Sequence, residues 1–136
     1  MDTKNEGNKA AKDPVRKISS RSGQAAAKIK GLVVWQEKFN LPRETIAKMI
    51  QVSSRTILRW ETKGVMPKNS EEKKRIEAVR EIIDLGGKVY GAEGLHEFLS
   101  TPQPVFDGHT PQQLMSIGEY SRVLGALAAD YEVIGF

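Results

Sequence analysis

The sequence predicts an all-α fold built around two short crossing helices. Three observations carry this expectation. Apolar residues recur at threes and fours from about Ala25 to the C-terminus, turn and capping residues punctuate them at helix-length intervals, and no stretch reads convincingly as a strand. The most informative segment is RETIAKMIQVSSRTILRWETK, residues 43 to 63, which has helix-turn-helix spacing.

The first 24 residues are polar and small, with Val15 and Ile18 as their only sizeable apolar side chains, so the expectation is a disordered basic tail. Lys12, Arg16, Lys17 and Arg21 give this tail the makings of an arm along phosphates; the alternative is a solvated tail without a role. A helical pattern begins near Ala25, running through Ile29, Leu32, Val33, Trp35 and Gln36 to Phe39 and Asn40. Leu41-Pro42 breaks it, and Pro42 suits the start of the next helix, where a missing N–H costs little.

Within residues 43 to 63, Ile46, Ile50, Val52, Ile57 and Trp60 take the inward positions of two helices joined at Gln51 to Ser53. Ala47 sits where a larger side chain would force them apart. The outward face of the second helix offers Ser53, Ser54, Arg55, Arg59 and Lys63. Arg55 and Arg59, four apart, share that face, and an arginine fork matches the O6 and N7 atoms of guanine. These five residues are the predicted DNA-binding set, with the second helix placed in a major groove. The alternative is a helical interaction module with a solvated basic face.

Gly64 and Pro67 should stop this helix, and Asn69 with Glu72 forms a capping box for another over about Ser70 to Leu85. Ile76, Val79, Ile82, Ile83 and Leu85 form its stripe, and Gly86-Gly87 is expected to end it. Ala92 to Leu99 reads as a short helix, TPQPVFDGHTP as a loop, and Thr110-Pro111 as the start of the next helix. The last tract spaces Leu114, Ile117, Tyr120, Leu124, Leu127, Tyr131 and Ile134 helically, with Gly118 dividing it in two. The resulting organisation is 1–24 tail, 25–68 helix-turn-helix, 69–90 connecting or dimerisation helix, and 91–136 a small helical domain.

Charge is distributed unevenly. Six basic residues face three acidic ones in 1–24, fourteen face eight in 25–90, and one faces six in 91–136, so only the first two-thirds suits phosphates. There is no cysteine, which excludes disulfides and thiolate zinc sites and agrees with a cytoplasmic protein. No membrane-spanning run or secretory signal is present, so no membrane partner is expected. Catalysis finds no support: His96 and His109 lack metal-ligand spacing, and His109 near Asp107 and Ser116 has no nucleophile elbow. Neither a metal nor any other cofactor is expected. A homodimer on a palindromic operator is expected because one such module buries little DNA surface; the stripe Ile76 to Leu85 and the C-terminal helices both remain candidate dimer surfaces.

Two family resemblances extend this reading. Ile46-Ala47, Ile50, Val52-Ser53, Thr56-Ile57 and Arg59-Trp60-Glu61 resemble a Cro/repressor-type, Xre-like helix-turn-helix over about residues 25 to 68, with Gln51 where that family often has glycine. Phe98-Leu99, Thr101-Pro102, Pro104, Gly108, Thr110-Pro111 and Leu114, followed by Val123, Leu124 and Leu127, resemble the toxin-binding domain of Xre/MbcA/ParS-type antitoxins. That family usually continues with a basic residue and glycine, whereas this chain reads Ala129-Asp130-Tyr131-Glu132-Val133-Ile134-Gly135-Phe136.

The resemblance implies a type II antitoxin that neutralises a RES-domain toxin, a fold acting on NAD⁺ or ADP-ribosylating a protein, and represses its own operon. It further implies that the C-terminal region covers the toxin's active-site entrance. Tyr131, Glu132, Val133, Ile134 and Phe136 are the expected toxin-binding residues, offering apolar anchors and negative charge to a basic nucleotide cleft. Their alternative is to close a helical bundle. A stand-alone regulator with a C-terminal dimerisation bundle, and an adaptor that binds no DNA, are the competing functions.

Overall fold

The computed structural model describes residues 32–65 and 67–134. The basic tail, the expected helix start near Ala25 and Phe136 lie outside the described residues. The described residues are all-α: α1 (residues 32–38), α2 (Arg43–Ile50), α3 (Ser54–Lys63), α4 (Ser70–Ser100), a 3₁₀ turn (Pro104–Phe106), α5 (Pro111–Ser116) and α6 (Tyr120–Ile134). No strand occurs among them.

Local chemistry sets most of the boundaries. The Pro42 carbonyl accepts from the Thr45 and Ile46 N–H groups to start α2. Ser53 caps α3 by accepting from the Thr56 N–H at 3.1 Å, and Gly64 ends that helix in the left-handed region at φ 63°. Asn69 Oδ1 accepts from the Glu71 and Glu72 amides at the head of α4. Thr110 and Gln113 form a reciprocal capping box on α5, with Pro111 in its first turn.

Helix α4 departs from the sequence expectation. Its first limb does not end at Gly86-Gly87 but runs on to Tyr90, where Gly91 (φ 76°, ψ −179°), in a conformation almost confined to glycine, breaks it; the short helix expected over Ala92 to Leu99 follows as a second limb ending at Ser100. Gly86 serves packing instead. It is buried, and a Cβ there would stand 2.5 Å from Leu95 Cδ1 and within 3.8 Å of both Leu127 methyls, so the absent side chain lets the two limbs of α4 and α6 close together.

A single hydrophobic cluster runs through the helices. It joins Trp35 of α1, Ile50 of α2, Trp60 of α3, Ile82 and Leu99 of α4, Leu114 of α5 and Leu127 of α6. The α4 stripe Ile76, Val79, Ile82 and Ile83 is buried in this cluster, which removes those four side chains as a dimer surface. Phe106, within the expected loop, is also buried and anchors the 3₁₀ turn to the core.

Ile117 corrects another expectation, being 70% exposed rather than inward. It is the residue that ends α5, and Gly118 (φ 84°) then redirects the chain, so helical phase does not carry from α5 into α6. Met115 and Val123 take the inward positions on either side. No helix among the described residues is long and apolar enough to cross a membrane.

Candidate functional site

The candidate DNA-reading face lies on α3. Ile57 and Trp60 fix the rotation of this helix by burying its inner side. Arg55, Arg59 and Lys63 consequently stand exposed, and among the described residues none of them is held in an ion pair. Ser54 opens the helix half-buried. Ser53 is engaged structurally, since its Oγ caps Thr56 N and also lies 2.9 Å from Thr56 Oγ1.

This face also carries an apolar residue outside the predicted set. Leu58 is 43% exposed, three residues after Arg55 and adjacent to Arg59, and so adds an apolar contact to the basic ridge. Its spacing from Arg55 marks it as a residue of this face, although its lack of charge does not.

Two polar assemblies hold α3 in place. Glu61 accepts from Gln36 Nε2 of α1 at 2.6 Å and from Arg43 Nη2 of α2 at 2.9 Å, so one carboxylate ties three helices. The same contact raises the Arg43 pKa, first by the hydrogen bond and then by the charge of Glu61. At the turn, Gln51 adopts φ 67° and ψ 45°, the left-handed backbone that glycine enters most readily. Its side chain donates to Tyr120 Oη at 3.2 Å.

The second candidate surface is the end of α6. Val123 and Leu127 are buried, Tyr131 is half-buried, Glu132 is exposed, Val133 is 86% exposed and Ile134 48%. Two apolar side chains thus stand in water beside two acids, Asp130 and Glu132. Tyr90 steadies this end: its ring stacks on Phe98 with centroids 5.0 Å apart, and its hydroxyl donates to Asp130 Oδ2 at 2.6 Å. Burial, then the bond to Asp130, pushes the Tyr90 pKa up to about 12.

His109, Asp107 and Ser116 are each engaged with other partners and not with one another. His109 Nδ1 lies 3.0 Å from the Phe106 carbonyl, Asp107 pairs with Arg122 at 3.6 Å, and Ser116 Oγ donates to the Gln113 carbonyl. No cluster of three or more potential metal ligands occurs among the described residues.

No family model matches the chain. Curated relatives do: the mycobacterial cidal antitoxin MbcA of Mycobacterium bovis and that of Mycobacterium tuberculosis are each 25% identical over 93 residues, covering 68% of this chain and 81% of theirs. A chain of the crystal structure of the M. tuberculosis MbcT-MbcA toxin-antitoxin complex superposes with a TM-score of 0.65 at 23% identity, covering 82% of this chain and 96% of that one. That likeness shows the all-α fold to be one already seen in a toxin-antitoxin assembly.

Proposed function

We propose that this chain is the antitoxin of a type II toxin-antitoxin pair, binding rather than catalytic, with a RES-domain toxin as its partner. The observation that carries this reading is the likeness to MbcA over 93 residues, reaching 81% of that antitoxin's length. The apolar and acidic end of α6 supports it physically. Tyr131 is of the aromatic kind enriched among residues that dominate interface energy, Val133 and Ile134 add exposed apolar area beside it, and the acidic charge of this end complements a basic nucleotide-handling cleft. Glu132 and Phe136 complete the proposed toxin-binding set.

The second half of the proposal is repression of the chain's own operon. Here α2, the turn and α3 act as a helix-turn-helix, and a cytoplasmic homodimer places two copies of α3 in successive major grooves of a palindromic operator. Arg55 and Arg59 would take guanine edges, Lys63 a phosphate, and Ser53 and Ser54 the backbone at the helix start. Leu58 would meet a thymine methyl.

The test is co-expression with the product of the adjacent reading frame, scoring growth rescue and co-purification, alongside a gel shift on the chain's own promoter at rising salt. Rescue, co-purification and a salt-sensitive shift are expected. A specific shift without rescue or capture would replace the antitoxin reading with that of a stand-alone regulator. Capture without any shift would leave an adaptor.

A further inference from the structure

The last four carbonyls of α2 can be accounted for one by one. A helix leaves them without intrahelical donors, and each needs a partner when it is not open to water. Ala47 O accepts from the Val52 N–H at 2.9 Å and Lys48 O from the Gln51 N–H at 3.2 Å, both closures made by the left-handed turn itself. The other two are served from a distance. Tyr120 Oη, at the start of α6, donates to Met49 O at 2.5 Å, and Arg75 Nε, from α4, donates to Ile50 O at 2.7 Å.

These donors meet at the residue whose backbone is unusual. Gln51 is left-handed although it carries a side chain, and that side chain is docked on the Tyr120 hydroxyl. Gly118 permits the approach, since a Cβ there would stand 3.3 Å from Gln51 Nε2. The turn that sets the angle between α2 and α3 is therefore clasped by two residues far along the chain.

We propose that Tyr120 and Arg75 are positioning residues for DNA reading, holding the α2–α3 turn so that α3 presents its basic ridge at the angle an operator requires. The inference rests on the DNA-reading half of the proposed function. It assigns operator specificity partly to helices that touch no DNA, and it makes the Tyr120 hydroxyl a substitute for the glycine that a left-handed turn would otherwise favour.

The full-length protein tests this by fluorescence anisotropy on its own promoter duplex and on a scrambled duplex. Tyr120→Phe removes only the hydroxyl, and with it both the bond it donates to Met49 O and the bond it accepts from Gln51 Nε2, so the preference for the promoter should fall on the order of tenfold. Scrambled-duplex affinity and capture of the partner toxin should not change. Gln51→Gly, which adopts the turn freely, should restore most of the preference in the Tyr120→Phe background. Arg75→Met should repeat the loss and carries the comparison if Tyr120→Phe fails to fold.

Unchanged preference in Tyr120→Phe, equal loss on both duplexes, no restoration by Gln51→Gly, or unfolding of both Tyr120→Phe and Arg75→Met would overturn the positioning role. A wild-type protein with no preference for its promoter would instead sink the DNA reading itself.

Discussion

Gly86 offers a quantitative test of the packing, because two opposing effects act there and the structure decides their order. In a helix interior, alanine is favoured over glycine by about 1 kcal/mol. At Gly86, however, the added methyl would stand 2.5 Å from Leu95 Cδ1, whereas carbon atoms pack comfortably at about 3.5–4.0 Å. Leu95 is fully buried and cannot swing into solvent, so relief requires core movement that costs about 1–3 kcal/mol. The expected net effect of Gly86→Ala is a loss of about 1 kcal/mol.

Gly125 supplies the control. It lies in the exposed part of α6 with nothing within 4 Å of a Cβ, so Gly125→Ala should gain about 0.5–1 kcal/mol from propensity alone. Thermal and urea melts of the two variants read the difference, with Tm moving down in one and up in the other by about 4 °C per kcal/mol. Adding Leu95→Val to Gly86→Ala removes the crowding methyl and should recover part of the loss. If both alanines raise Tm alike, the close approach of α4's limbs at Gly86 is wrong.

Further outcomes follow from the site. Arg55→Ala and Arg59→Ala should each weaken operator binding by about 1–3 kcal/mol with the melting curve unchanged, and uracil in place of operator thymine should weaken wild type but not Leu58→Ala; full affinity in both arginine variants would move the reading face elsewhere. Trp60→Ala, emptying a buried site under α3, should cost about 3–5 kcal/mol by chemical denaturation, and a wild-type midpoint would contradict its burial. Tyr90 has a folded-state pKa near 12, above the ordinary value of 10.0, so its neutral form is preferred in the fold. Its contribution is complete below pH 10 and is lost as pH rises toward 12, by an amount reduced by the ring's exposure. Stability of wild type should therefore fall more steeply than that of Tyr90→Phe across that alkaline window, and parallel curves would remove Tyr90 from the α4–α6 contact.

The sequence made legible whatever depends on near neighbours. Gly64, the Thr110-Pro111 start and the Gly118 break were readable because caps and left-handed turns are specified within a few residues. Arg55 and Arg59 could be assigned to the outer face because Ile57 and Trp60 fix the phase of α3. Distant contacts were not legible. A Gly-Gly pair reads as a helix end, and only the proximity of Leu95 and Leu127 shows that Gly86 is a packing position while Gly91 makes the bend. Phe106 sits among prolines and glycines with no periodicity to mark it as core, and Ile117 follows a period that Gly118 interrupts. The clasp from Tyr120 and Arg75 spans 71 and 25 residues, beyond any local pattern.

The central claim is a division of labour between α3 and the end of α6, and one deletion addresses it directly. Removing residues 131 to 136 from the full chain, then measuring toxin neutralisation in cells and promoter affinity in vitro on the same variant, should abolish the first and spare the second. Parallel loss of both activities, or retained neutralisation, would contradict it.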